Sequence, residues 1–227
     1  MDESLGNLLD YLNAHDLAKN TVIIFMSDNG GFSHAPREGA ANSQNFPLKG
    51  GKGSLYEGGV REPMMVCWPG VTKPASVNKQ YVIIHDFYPT LLEIAGIKNS
   101  KPVQKIDGQS VVRYLKNNQL TDNKRALIWN IPNDWAGGNL GEDNSWLTGI
   151  RQGDWKLIYF EKYARLELYT LKDDIKEEHD LAKQFPKKTK ELAALLTKEL
   201  KSSNAQMPSY KATGKQVPWP DALPDFK

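Results

Sequence analysis

Apolar residues first recur at helical spacing. Leu5, Leu8, Leu9 and Leu12 predict an amphipathic helix near residues 3–15. A polar connection, Asp16 to Asn20, leads to Val22-Ile-Ile-Phe-Met26, a continuous β-branched and aromatic run that reads as a buried strand. A helix feeding a buried strand is one unit of an α/β sheet. Residues 29–62 lose all periodicity and are rich in Gly, Asn, Pro and Ser. A loop of that length in a compact domain is functional or disordered. Met64 to Cys67 predicts a second short buried strand, stopped by Pro69-Gly70. Tyr81 to Ile84 leads into Asp86, a plausible N-cap, before a helix carrying Leu91, Leu92 and Ala95 that Gly96 closes.

The pattern changes after about residue 100. Alternation in Ala126 to Trp129, Trp155 to Phe160 and Arg165 to Tyr169 predicts antiparallel strands, with Gly153-Asp154 as a tight turn between two of them. Leu192, Leu195, Leu196 and Leu200 mark one face of a helix from about Lys187 to Leu200. That helix is expected to pack on the sheet, because one leucine face needs a partner surface. The tail from Met207 is proline-rich and reads as extended. The expected division is residues 1–123 in an α/β domain and 124–227 in a smaller α+β subdomain with an extended tail.

Composition narrows the function classes. The 227 residues suffice for one large or two small domains with a sizeable core. A net charge of +2 gives no support to a nucleic-acid partner. No apolar run is long enough to span a membrane, and one cysteine cannot form an intrachain disulfide.

Two polar motifs stand out. Asp28-Asn29-Gly30 ends the first strand abruptly, placing a carboxylate and an amide at a strand's C-terminal edge, where open α/β sheets bind ligands. Their oxygens suit a hard cation such as calcium or magnesium. Downstream, Pro47-Leu-Lys-Gly-Gly-Lys-Gly-Ser-Leu-Tyr-Glu-Gly-Gly-Val-Arg-Glu-Pro63 sets Lys49 and Lys52 among glycines that let backbone approach an anion. It is not a nucleotide P-loop, since Gly53 rather than Ser or Thr follows the lysine. A metal end beside a cationic glycine-rich turn points to an oxyanion ester. His34 in the long loop is a candidate substrate contact. Glu57 and Arg61 read as charges that hold the loop. Trp129, Trp135 and Trp146 are candidates for stacking on a sugar or for core packing.

These segments resemble the sulfatase family of the alkaline-phosphatase-like superfamily. The likeness runs from the first helix through Ser27-Asp-Asn-Gly-Gly31, residues 47–63, Trp68-Pro-Gly70, and Asp86-Phe-Tyr-Pro-Thr-Leu-Leu-Glu-Ile-Ala-Gly96. It ends in Gly149-Ile-Arg-Gln-Gly-Asp-Trp-Lys-Leu-Ile158 and Glu167-Leu-Tyr-Thr-Leu171. Order and spacing together make it specific. The resemblance implies the C-terminal part of an alkaline-phosphatase-like sandwich with a smaller antiparallel subdomain. It implies calcium held by Asp28, Asn29 and upstream acidic residues, and a sulfate-binding lysine at Lys52, with Lys49 at a basic position of the motif. The family nucleophile, formylglycine made from a Cys/Ser-x-Pro/Ala-x-Arg motif, lies upstream of the Asp-Asn pair. Cys67 lacks the arginine four residues on, and Ser33-His-Ala-Pro-Arg37 sits on the wrong side of the pair. The chain therefore reads as the C-terminal fragment of a sulfuric ester hydrolase, inactive alone, that partners the N-terminal part of the same protein and a sulfated small molecule or glycan. The family implies a periplasmic or secreted location. The alternatives are a non-catalytic sulfatase-like carbohydrate-binding module, or a phosphoester or phosphonate hydrolase of the same superfamily. Such hydrolases favour transition metals with additional histidines, and four histidines occur here.

Overall fold

The computed structural model describes residues 1–32, 44–134 and 145–223. The described residues form two compact units, Met1–Met26 with Pro63–Asp122, and Ser27–Glu62 with Asn123–Lys227.

In the first unit, the leucine-spaced helix α1 covers Asp2–Ala14. Strands β1 (Ile23–Met26) and β2 (Met64–Cys67) pair antiparallel, with Ile23 opposite Cys67 and Met26 opposite Met64. Both strands read as buried in the sequence. Instead β1 is half-buried throughout, and β2 alternates between half-buried and exposed. The apolar runs are there, but the described residues lay no second layer over them. Helix α3 (Phe87–Ile94), followed later in this unit by the short α4 (Val112–Lys116), ends as its glycine signalled, with Gly96 at φ +72 just past the C-cap. Asp86 is buried but does not cap α3 with its side chain. Its carboxylate accepts the N–H groups of Ile83 at 3.0 Å and Gln109 at 2.9 Å, tying two segments distant in sequence. The neighbouring His85 is exposed.

The second unit is built on a four-stranded antiparallel meander: β3 (Ala126–Asp134), β4 (Ser145–Gln152), β5 (Trp155–Phe160) and β6 (Arg165–Thr170). Pro132 is tolerated in β3 because that strand is an edge. The β4–β5 turn is Gly153-Asp154, with Gly153 at φ +59. Period-two alternation sends Ile150, Leu157, Tyr159 and Leu168 to one face, where helix α5 (Pro186–Ser202) covers them with Leu192, Leu196 and Leu200. The other face carries Leu147, Ile158, Phe160 and Tyr169, covered by Leu55 and Tyr56 from the glycine-rich segment. Gly149 makes room for that cover, since Leu55 Cδ1 would lie 3.1 Å from a Cβ there. The tail, read as extended, instead folds back through a Ser209–Gln216 bridge and buries Val217 and Leu223 in the α5 core. Tyr159 fixes it by donating its hydroxyl to the Pro218 carbonyl at 2.8 Å.

Candidate active site

The two motifs that stand apart in sequence are joined backbone to backbone. Gly30 N–H donates to the Gly59 carbonyl at 3.1 Å, and Lys52 N–H donates to the Gly31 carbonyl at 3.2 Å. Asn45, a residue the sequence reading passed over, bridges the two. Its Oδ1 accepts Gly31 N–H at 2.9 Å, and its Nδ2 donates to the carbonyls of Gly31 and Gly50 at 2.9 and 3.0 Å. The glycines are needed where backbones touch. A Cβ on Gly30 would collide with the Gly58 carbonyl oxygen, and one on Gly59 with the Ser54 carbonyl. Gly50 adopts φ +75, a conformation open to glycine at little cost. Asp28, Asn29 and Lys52 thus belong to one assembly of loops.

Asp28 is exposed and Asn29 half-buried, directly after β1. Asn29 Nδ2 donates to its neighbour's carbonyl, Gly30 O, at 3.1 Å, which leaves Oδ1 as the amide atom suited to a cation. Near them Glu62 has a buried carboxylate oxygen, Oε1, with no hydrogen-bond partner among the described residues. Burial, and then the charge of Asp28, push the Glu62 carboxyl above its ordinary range. The Asp28 carboxylate and the Asn29 amide oxygen are hard donors of the kind a calcium-type cation takes. Two side chains fall short of the six to eight oxygens that calcium takes, so further ligands must come from elsewhere.

The lysines have different surroundings. Lys52 is half-buried in the turn between Gly51 and Gly53. Lys49 Nζ lies 3.9 Å from the centroid of the Tyr56 ring and 5.5 Å from that of Tyr169, and donates to the Glu177 carbonyl at 3.3 Å. Its ammonium is engaged with the fold beneath the loop. His34 and Trp135 lie outside the described residues, as does Ser33-His-Ala-Pro-Arg37. Trp129 packs against the cluster under the glycine-rich segment, and Trp146 is half-buried at φ +59.

Glu57 opens a short helix, α2 (Glu57–Val60), and is 1% exposed. Its Oε2 accepts Arg61 Nε at 2.7 Å and Arg151 Nη1 at 3.2 Å, while Oε1 meets Lys156 Nζ at 3.0 Å. Burial works against its charge, but Lys156, Arg151 and Arg61 outweigh it and hold the carboxyl below its ordinary range. Sequence reasoning placed Glu57 and Arg61 as loop-holding charges. It missed Lys156, Arg151 and Glu177, which complete the cluster.

A sulfatase family model matches residues 1–97, and a model for the C-terminal region of N-sulphoglucosamine sulphohydrolase matches residues 51–206. A sulfatase of Formosa agariphila is 36% identical over 236 residues, covering 97% of this chain and 41% of that protein. Human N-acetylgalactosamine-6-sulfatase is 32% identical over 162 residues, covering 67% of this chain and 30% of that protein. Among solved structures, Ps i-CgsB in complex with k-i-k-neocarrahexaose superposes with a TM-score of 0.72 at 29% identity, over 99% of this chain and 46% of that one. BT4656 in complex with its substrate D-glucosamine-2-N,6-O-disulfate gives a TM-score of 0.69 at 28% identity, over 89% of this chain and 38% of that one. The chain spans less than half the length of these relatives. With matched segments running through both glycine-rich motifs and the C-terminal sheet, this chain belongs to the sulfatase family.

Proposed function

We infer that this chain carries the lysine side and part of the calcium site of a sulfuric ester hydrolase whose remaining portion supplies the nucleophile. The observation that carries the reading is the Lys52 N–H bond to the Gly31 carbonyl, which ties the cation-suited Asp28-Asn29 turn to the lysine loop. Asp28 and Asn29 would hold calcium together with acidic residues from the preceding part of the protein, which would also bear formylglycine. Calcium, when bound, supplies positive charge against the sulfate oxygens. Lys52 adds a second positive charge where the ester's oxygens gain negative charge, and its glycine setting lets the backbone come close as well. Lys49, turned to Tyr56, Tyr169 and Glu177, holds the loop from below rather than reaching substrate. His34 remains a proposed substrate contact. Sulfated sugars are the favoured substrate class, because BT4656 and Ps i-CgsB are seen with sugar ligands and N-acetylgalactosamine-6-sulfatase is a relative by sequence. The family implies export to the periplasm or beyond the cell. Among the described residues no helix is long and apolar enough to cross a membrane.

The test is steady-state kinetics on the full-length protein with an aryl sulfate and an aryl phosphate. The sulfate is expected to turn over in preference. Lys52→Ala is expected to lower kcat by about 100- to 1,000-fold, the effect of one removed oxyanion donor, with Lys49→Ala clearly milder. The 227-residue chain by itself is expected to turn over neither ester. Preference for the phosphate would make it a phosphoester hydrolase, and glycan binding without turnover a carbohydrate-binding module. Lys52→Ala at wild-type rate would return Lys52 to an ordinary surface lysine.

A further inference from the structure

The sheet face beneath the glycine-rich segment carries an arrangement that packing alone does not require. Arg151, Lys156 and Tyr169 lie directly opposite one another across β4, β5 and β6. Two cations on adjacent strands repel unless an anion sits between them. Glu57 is that anion, reaching down from the loop to both. Lys156 is 1% exposed and also pairs with Glu177 Oε1 at 2.9 Å, an electrostatic contact rather than a well-aligned hydrogen bond.

Glu177 touches the loop at both ends. Its Oε2 accepts the Glu57 N–H at 2.6 Å, and its backbone carbonyl accepts Lys49 Nζ at 3.3 Å. Between these points the loop closes on itself, with Gly58 N–H donating to the Lys49 carbonyl at 2.8 Å. Residues 49–58 therefore form an arch whose two feet rest on Glu177, and Lys52 rides on it. Glu177 is fully buried and holds φ +54, a left-handed conformation uncommon for glutamate. A strained backbone persists where its surroundings over-determine it, and three contacts to the loop and Lys156 do so here.

We propose that Glu177 and Lys156 are positioning residues for the sulfate-facing lysine: they set the arch that carries Lys52 from the sheet, through Glu57, and affect turnover without touching substrate. The proposal rests on the assignment of Lys52 to substrate. Glu177→Gln keeps the side chain's volume and an acceptor for the Glu57 N–H but removes the charge facing Lys156. In the full-length enzyme this substitution is expected to lower kcat on an aryl sulfate by about tenfold or more, since small misplacements of a catalytic group are costly. In a Lys52→Ala background the same change is expected to cost less than about twofold, because the group it positions is gone. In the 227-residue chain, amide exchange is expected to accelerate by about tenfold across residues 49–59, while α5 amides keep their wild-type rates. If Glu177→Gln does not accumulate in folded form, Lys156→Arg, which keeps the charge but moves it, is put through the same cycle with the same expectation. Equal losses in both backgrounds, or faster exchange throughout the sheet and α5, would reduce the pair to general scaffolding and overturn the proposal. Wild-type turnover in Lys52→Ala would instead refute the active-site reading, and this inference with it.

Discussion

At the scale of single residues, alternation reports which face a side chain takes but not what waits there. Lys156 sits between Trp155 and Leu157 in a strand whose pattern was read correctly, and an alternating lysine ordinarily faces water. Here the second face is covered by the Leu55–Tyr56 segment, and a carboxylate from 99 positions away meets the lysine. That partner is a tertiary fact with no local signal. The motifs that hold Asp28, Asn29 and Lys52 stand out as candidates because they are local; Asn45 and Glu177, whose hydrogen bonds join those loops, leave no such local signal. Glu161 is a second hidden charge. It is fully buried, its Oε2 has no hydrogen-bond partner among the described residues, and burial pushes its carboxyl up to about 7, against the opposing effect of its bond with Thr148. Thr148 Oγ1 also lies 3.1 Å from Asn130 Oδ1, and one hydroxyl hydrogen cannot serve both oxygens. A protonated Glu161 resolves the conflict by donating to Thr148, which then donates to Asn130. The unfolded carboxyl ionises near 4.5, so between that pH and about 7 the folded state binds the extra proton. Stability therefore falls as pH rises through this window, by roughly 3 kcal/mol from this group, and stays flat above it. Glu161→Gln is expected to remove that slope and to be more stable than wild type at pH 8. Urea unfolding of both proteins at pH 5 and pH 8 measures it, and parallel pH dependence in the two would contradict the assignment.

At the scale of elements, the signal was strongest where one periodicity ran unbroken against one partner. Helix α5 shows its leucine face, and Leu192, Leu196 and Leu200 are buried as expected while Leu195 is half-buried. Strands β5 and β6 follow the same logic, whereas β4 was not read as a strand and is signalled only by the Gly153-Asp154 turn that joins it to β5. The tail misled because its prolines masked a turn and two buried side chains. The pair β1 and β2 misled differently, since a continuous apolar run signals two covered faces and the described residues cover neither fully. These contrasts give a graded prediction. Leu196→Ala removes a fully buried side chain from the α5 core and is expected to cost about 2–5 kcal/mol in urea unfolding. Leu195→Ala, at the rim of that face, should cost clearly less. Equal losses would mean that α5 does not seat on the sheet through the Leu192–Leu196–Leu200 edge.

At the scale of the whole molecule, burial is unevenly distributed. The second unit has two apolar clusters, one on each face of its sheet. In the first unit α1 has no buried residue, with Leu8 and Tyr11 51% and 58% exposed, and Met65, Tyr88 and Leu91 are exposed as well. A helix of 13 residues is marginal in water by its own propensity and ordinarily depends on tertiary packing. The sulfatase relatives are more than twice the length of this chain, and the Formosa agariphila protein matches 97% of it within 41% of its own length. We propose that further parts of a sulfatase pack on these apolar surfaces. In the 227-residue chain, α1 amides are therefore expected to exchange at nearly unfolded rates while α5 amides stay protected. In the full-length protein α1 protection should rise by about 100-fold or more, as burial converts a marginal helix into part of a core. Hydrogen exchange read by mass spectrometry on both proteins checks this directly. Protection of α1 in the 227-residue chain equal to that of α5 would show that the first unit is stable without further cover, and that its apolar face needs no partner.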